Sequence, residues 1–186
     1  WQTPLQPLIY LLSAITLGYG VVLFESCVAA SAYRREIEVS MLNPMARVML
    51  GIMAFYLVVR FADLAVRGVL GEAFKPTYIA LTFWIENASF IAPFLLIGSV
   101  AARRNPARLF LAGIAVMLGG ILLRLNGFLI AFDTGPGWSY FPSVPELLVT
   151  FGIFAAEVFG YIYITRRFPV LPREETYAQP ARSQRS

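Results

Sequence analysis

Residues 109–132 read LFLAGIAVMLGGILLRLNGFLIAF and contain one charged side chain, Arg124. An α-helix rises about 1.5 Å per residue, so a run of this length covers the roughly 30 Å of hydrocarbon in a bilayer. Four more apolar runs have a similar length, and the short connections between them favour antiparallel packing. The sequence therefore predicts an all-α integral membrane protein with five transmembrane helices in an antiparallel bundle. The other four predicted spans are Leu8–Ala32, Met45–Val69, Tyr78–Ala102 and Glu146–Thr165.

The composition of the whole chain agrees with this prediction. Apolar residues make up 58% of the chain, charged residues only 14%, and the mean hydropathy is +0.67. A soluble domain has about a quarter of its residues charged, because water must wet its surface. The bilayer is the solvent that suits so few polar groups, and we expect membrane lipid around the chain. The net charge is +4, but binding nucleic acid requires a basic face on a soluble fold. We therefore expect no nucleic-acid partner.

The basic residues predict an orientation. Three arginine clusters fall on the same side of the predicted bundle, which the positive-inside rule assigns to the cytoplasm. We therefore expect an outside N-terminus, a cytoplasmic C-terminus and a multi-pass protein of the cytoplasmic (inner) membrane. We also expect a bundle over residues 1–170 and a disordered tail over residues 171–186, in a chain that is the C-terminal part of a longer protein. The clusters are Arg34, Arg35 and Arg47; Arg103, Arg104 and Arg108; and Arg166, Arg167 and Arg173.

Charged side chains within the spans are candidates for a functional site. Each costs about 2.5–3.5 kcal/mol to insert, so it should face a partner or water. Counting the helical rise places two arginines, two carboxylates and two amides in one layer in the outer third of the bundle. This layer is either a neutral network that fixes helix packing or a polar site for substrate, quinone or protons. The residues are Arg60, Asp63, Glu86, Asn87, Arg124 and Asn126.

Two further carboxylates are candidates for proton transfer. Glu157 falls near the middle of the fifth span with no arginine predicted at its depth, and Glu25 lies lower in the first span. A carboxylate without a cationic partner in a low dielectric resists ionisation and can exchange protons. The alternative for Glu157 is a neutral side chain bonded to a backbone carbonyl. For Glu25 the alternative is pairing with Arg34 or Arg35.

The loop before the fifth span is rich in aromatic residues, among them Trp138, Tyr140 and Phe141. Trp and Tyr favour membrane interfaces, so the loop is either a rigid turn with an aromatic belt or a docking surface for an external partner. Ser143 and Glu146 have the spacing of a capping box that starts the fifth helix.

Residue types that are absent also guide the prediction. The chain has no histidine and one cysteine, Cys27. We therefore expect no His-ligated haem and no metal site in this chain. A nucleophile–base pair and a phosphate loop are also missing, so we predict no catalytic residue.

Several strings in the chain resemble one known family. They are Val59-Arg60-Phe61-Ala-Asp63-Leu64; Trp84-Ile-Glu86; Arg124 followed by Ala131-Phe132; Tyr140-Phe141-Pro142-Ser-Val-Pro-Glu146-Leu-Leu; and the ending Phe168-Pro-Val-Leu-Pro172. They resemble the NrfD/polysulfide-reductase family of membrane subunits, and most of all its HybB-type branch, the so-called cytochrome b subunits of nickel–iron hydrogenases.

The resemblance implies a function. Members anchor a four-cluster ferredoxin-like iron–sulfur subunit at the outer face, together with a catalytic oxidoreductase subunit. They pass electrons between that subunit and membrane quinone, menaquinone or ubiquinone, without haem of their own. In the family the quinone pocket is associated mainly with N-terminal helices that this chain lacks, so no quinone contact is carried over. The rival interpretation is a transporter or channel segment that binds a solute at its buried charges.

Overall fold

A computed structural model describes residues 3–32, 34, 36–130 and 142–168, and these residues form helices and connections without any strand. Five helices are long and apolar enough to cross a membrane, which confirms the predicted fold class. Their bounds are α1 Gln6–Ala32, α2 Val39–Val66, α3 Tyr78–Ile97, α4 Pro106–Leu125 and α5 Val144–Arg167, with a π-helical turn Asn126–Ile130 continuing α4 and 3-10 turns at Leu70–Phe74 and Ala102–Arg104.

Local sequence signals set several of the helix starts. The Thr77 hydroxyl accepts a hydrogen bond from the Ala80 amide (3.2 Å), and the Asn105 side chain accepts one from the Ala107 amide (2.9 Å). Both side chains satisfy amides that have no partner within the helix. Helix α2 begins at Val39, six residues before the predicted span Met45–Val69. The prediction missed these residues because hydropathy identifies the apolar stretch and not the hydrogen-bonded turns that precede it.

Helices α1 to α4 belong to one compact unit, residues 1–138. Helix α4 packs extensively against both α1 and α3, and α1 packs against α2. The Tyr10 hydroxyl, near the start of α1, meets the backbone at Gly127 beyond the end of α4. At the other end, the Cys27 sulfur lies 3.8 Å from the Pro106 carbonyl oxygen at the start of α4. These two contacts show that α1 and α4 are antiparallel.

Helices α1 and α4 approach each other closely at Gly20 and Gly113. A Cβ atom built on Gly113 would lie 2.9 Å from the Gly20 carbonyl oxygen and 3.1 Å from the Phe24 amide nitrogen. Both glycines are buried. Small residues let membrane helices approach closely and gain dispersion energy where no hydrophobic driving force exists. The close approach of α1 and α4 therefore depends on glycine at these two positions.

Helix α5 lies in a second compact unit, residues 139–186, and is described by itself. All of its residues are exposed or half-buried, so its apolar side chains do not form a core of their own. The Glu146 carboxylate accepts a hydrogen bond from the Ser143 amide at 2.8 Å, as expected for the predicted capping box. Prolines at the start of the helix suit the first turn, where an amide donor is not needed.

One predicted loop arginine lies inside the structure instead of at its surface. Arg103 is 7% exposed, and its guanidinium donates to the carbonyl oxygens of Ile97 (3.0 Å) and Gly98 (2.8 Å) at the end of α3. Its Nε also donates to Asn43 at 2.9 Å. Basic side chains stabilise helix C-termini in this way. Arg103 therefore has a structural role in addition to any contribution to orientation.

The orientation itself remains a prediction, and cysteine labelling tests it. In a Cys27→Ala background, Gly137→Cys is expected to react with a membrane-impermeant maleimide added from outside, and Gln184→Cys only after the membrane is opened. The arginine clusters are the physical reason, because translocating them is unfavourable. Labelling of Gly137→Cys only from the cytoplasmic side would reverse the assignment.

Candidate functional site

An ion pair between α2 and α3 forms the centre of the candidate site. The Nη2 atom of Arg60 lies 2.8 Å from Oε1 of Glu86, and the two side chains are 6% and 0% exposed. The Arg60 guanidinium also lies over the Phe83 ring, 5.7 Å from its centroid. Removing two charges from solvent costs several kcal/mol per ion, so close pairing and extra hydrogen bonds are needed to offset the loss.

Asn126 supplies one of these extra hydrogen bonds from α4. Its Nδ2 atom donates to Oε2 of Glu86 at 2.7 Å and to the Thr82 carbonyl oxygen at 3.2 Å. Asn126 is the first residue of the π-helical turn, and such turns are frequent at functional sites because they redirect side chains. Glu86 thus joins three helices through charge-assisted bonds.

Asn87, next to Glu86 in the chain, is fully buried and donates from Nδ2 to the Phe83 carbonyl oxygen at 2.7 Å. This bond is internal to α3. It places the Asn87 amide at the level of Glu86 without joining it to that carboxylate, because adjacent residues on a helix point in different directions.

Asp63 belongs to a second group nearer the end of α2. Its Oδ2 lies 3.2 Å from Nε of Arg67, one turn further along the helix, and its Oδ1 accepts a hydrogen bond from the Thr3 hydroxyl at 2.8 Å. Asp63 is 9% exposed. Arg67 was not among the predicted site residues, although its (i, i+4) spacing from Asp63 indicates the pair.

Arg124 is placed differently from the predicted layer. Its Nη1 donates to the carbonyl oxygen of Gly120 on its own helix at 2.8 Å, and the side chain is half-buried. Arg124 itself lies in the last turn of α4, where a positive charge suits the helix dipole. The structure brings Arg60, Glu86 and Asn126 into direct contact, with Asp63 and Arg124 bonded elsewhere.

Two tyrosines belong to the site and were missed by sequence reasoning. Tyr56 is fully buried and packs against Phe90 with ring centroids 4.7 Å apart. Tyr10 stacks on Phe128 with ring centroids 5.5 Å apart. A tyrosine four residues before Arg60 lies on the same helix face, which is the signal that indicates its position.

The other predicted site residues lie outside this group. Glu25 is half-buried on α1, and Glu157 is exposed on α5 in the second unit. Trp138, Tyr140 and Phe141 fall outside the described residues. Among the described residues, no group of three or more His, Cys, Asp or Glu side chains could hold a metal ion. The site is therefore a neutral, buried, hydrogen-bonded ion pair at one end of the four-helix unit.

Comparison with known proteins places the chain in a family. Residues 1–131 match the family described as polysulphide reductase, NrfD. The chain is also 35% identical over 176 residues to the probable Ni/Fe-hydrogenase 2 b-type cytochrome subunit of Escherichia coli (strain K12). That match covers 92% of this chain and 45% of the relative, so the chain spans about half the relative's length. No solved structure matches the chain. The predicted resemblance is confirmed.

The name of this relative contradicts the prediction that this chain holds no haem. The relative is described as a b-type cytochrome subunit, and such cytochromes hold haem. Our prediction relied on the absence of histidine from 186 residues. That reasoning was insufficient, because haem iron also accepts methionine, cysteine or tyrosine as ligands.

Three side chains of these types, Met49, Met53 and Cys27, do not fit a haem as they are packed in the described residues. Met49 and Met53 are fully buried in the core, and Cys27 is 6% exposed beside the start of α4. Protein cores have few voids larger than a water molecule, so a porphyrin beside these sulfur atoms would require the helices to separate. We therefore derive no step through a haem.

Proposed function

The chain belongs to the NrfD family of polysulphide reductase, and from this premise we propose that it is part of the membrane-anchor subunit of a respiratory oxidoreductase. The complete subunit would exchange electrons between an iron–sulfur partner at its outer face and the quinone pool of the cytoplasmic membrane. The match of residues 1–131 to the family carries this proposal. The relative's description as a subunit of a nickel–iron hydrogenase supports a hydrogenase or sulfur-compound reductase as the catalytic partner.

The site supports a role at one membrane face. Arg60 lies six residues before the end of α2 at Val66, and Glu86 lies eight residues after the start of α3 at Tyr78. At about 1.5 Å per residue the ion pair is therefore roughly 9–12 Å below that face. A neutral pair at this depth holds the helices together beneath the surface where a partner docks. We propose Trp138, Tyr140 and Phe141, in the loop that precedes α5 in the sequence, as partner-docking residues.

Purification from native membranes tests the proposed function. A complex extracted in mild detergent through a tag on the full-length subunit is expected to contain an iron–sulfur protein and a hydrogenase or reductase subunit. Its iron–sulfur clusters should be reduced by hydroquinone or oxidised by a quinone analogue. Isolation of the subunit alone, together with saturable binding of a charged solute, would instead favour a transporter. An unrelated tagged multi-pass protein from the same membranes controls for non-specific capture.

Glu157 is the proposed proton-transfer residue of α5. It lies 13 residues after Val144 and 10 residues before Arg167, which is near the middle of the helix. If Glu157 transfers protons, Glu157→Gln should assemble normally, while quinone-linked turnover or proton uptake in liposomes falls severalfold, because glutamine cannot release a proton. Glu72→Gln, in the connection between α2 and α3, is the matched control. Wild-type turnover and proton uptake in Glu157→Gln would assign Glu157 a packing role.

A further inference from the structure

Five buried side-chain polar atoms among the described residues have no hydrogen-bond partner. Four of them are candidates for one shared site beside the Arg60–Glu86 pair: the hydroxyl groups of Tyr10 and Tyr56, Nε of Arg60 and Oδ1 of Asn126. The fifth is Oδ1 of Asn87, whose Nδ2 bonds within α3. Buried polar atoms nearly always have a partner, and inside a bilayer each unsatisfied group costs several kcal/mol. Four of them in one layer therefore indicate that something else binds there.

Position and bonding relate these four atoms to one another. Tyr56 lies one helical turn before Arg60 on the same face of α2. The Tyr10 hydroxyl reaches the backbone at Gly127, the neighbour of Asn126 in the π-helical turn. Asn126 and Arg60 bind opposite oxygens of the same Glu86 carboxylate. Helices α1, α2 and α4 thus each contribute at least one unpartnered atom around a carboxylate of α3.

The chemistry of the four atoms restricts what they can bind. Nδ2 of Asn126 faces the Glu86 carboxylate and the Thr82 carbonyl oxygen. The reversed amide would place an oxygen against both, so Oδ1 is an acceptor that needs a donor. Nε of Arg60 is a donor only, and each tyrosine hydroxyl both donates and accepts. The ligand must therefore offer at least one hydrogen-bond donor and at least one acceptor, as a water molecule does.

We propose that ordered water binds between Tyr10, Tyr56, Arg60 and Asn126 and hydrates the inner side of the Arg60–Glu86 pair. A buried water makes about three hydrogen bonds, so four atoms require about one or two molecules. Water there satisfies every unpartnered atom of the cluster and connects Glu86 by hydrogen bonds to Tyr10, close to the start of α1. This inference does not depend on the proposed function, because it concerns the site whatever partner the protein has.

Radiolytic labelling of the purified wild-type complex in ¹⁸O-water tests the proposal. Hydroxyl radicals generated by a short X-ray pulse from a bound water attack the side chains beside it, including buried ones. Tyr56 is expected to incorporate ¹⁸O severalfold faster than Met49. Met49 is the matched control because it is equally buried, at 0% exposure, on the same helix and within the apolar core. A Tyr56 as unreactive as Met49 would overturn the proposal.

A second measurement uses Tyr56→Phe, which removes one hydroxyl and conserves the ring. If water binds the cluster, the variant loses a water ligand, so ¹⁸O labelling of Tyr10 should fall and the thermal midpoint of the complex should not rise. If the hydroxyl has no partner at all, its removal relieves a desolvation penalty and the midpoint rises. A raised midpoint with unchanged Tyr10 labelling would contradict bound water. Neither measurement requires quinone turnover, so a failure here is distinguishable from a failure of the proposed function.

Discussion

Replacing Arg60 with methionine is expected to remove most of the assembled protein from the membrane. Methionine fills a similar volume but leaves the Glu86 carboxylate, which is 0% exposed, without its cation. Stranding one member of a buried ion pair typically costs about 3–5 kcal/mol. That loss is a large fraction of the stability of an ordinary domain, about 5–15 kcal/mol. Fluorescence-detected size-exclusion chromatography of detergent extracts, together with a thermal midpoint, measures the loss.

A rescue experiment separates lost pairing from lost packing. Adding Glu86→Gln to Arg60→Met removes the stranded charge and keeps a side chain that bonds with Asn126, so much of the assembled protein should return. Arg124→Met is the matched control, because Arg124 is half-buried and donates to a carbonyl of its own helix. Its cost should be much smaller. Strictly additive losses in the Arg60→Met/Glu86→Gln double variant would contradict direct coupling of the two charges.

The five helices were predictable because the bilayer imposes a length and an apolar composition on each span. What hydropathy does not report is which helices touch. Helix α4 packs against both α1 and α3, and the reason lies in particular contacts such as Gly20 with Gly113. Helix α5 satisfies the same length rule and lies in a second compact unit.

The depth of the site was also predictable, since the rise per residue places Arg60, Glu86 and Asn126 at one level. The choice of partners was not, because depth says nothing about the direction in which each side chain points. Asp63 is one turn closer to the helix end than Arg60, where Arg67 and Thr3 reach it first. Arg124 finds a carbonyl on its own helix. Tyr10 and Tyr56 were not predicted as site residues because each lies within an apolar run and was read as an apolar residue, although its hydroxyl is polar.

Gly113→Val is expected to have the second large effect, through the contact between α1 and α4. The added Cβ would meet the Gly20 carbonyl oxygen at 2.9 Å and the Phe24 amide nitrogen at 3.1 Å. These are backbone atoms, which no rotamer change moves away, so the helices must separate. Overpacking costs about 1–3 kcal/mol where side chains can adjust, and backbone contact places this variant at or above the upper end of that range.

Gly18→Val on α1 provides the matched control, because a Cβ atom at Gly18 has no neighbour within 4 Å. Both substitutions remove a helix glycine, so they share any gain in helix propensity, and the difference between them reports the contact alone. Gly113→Val should sharply reduce the folded fraction and lower the thermal midpoint, while Gly18→Val retains the wild-type values. The strain should extend to the site, since separation of α1 from α4 moves Tyr10 away from Gly127 and Asn126. Equal thermal midpoints for the two variants would show that the α1–α4 approach does not limit the stability of the four-helix unit.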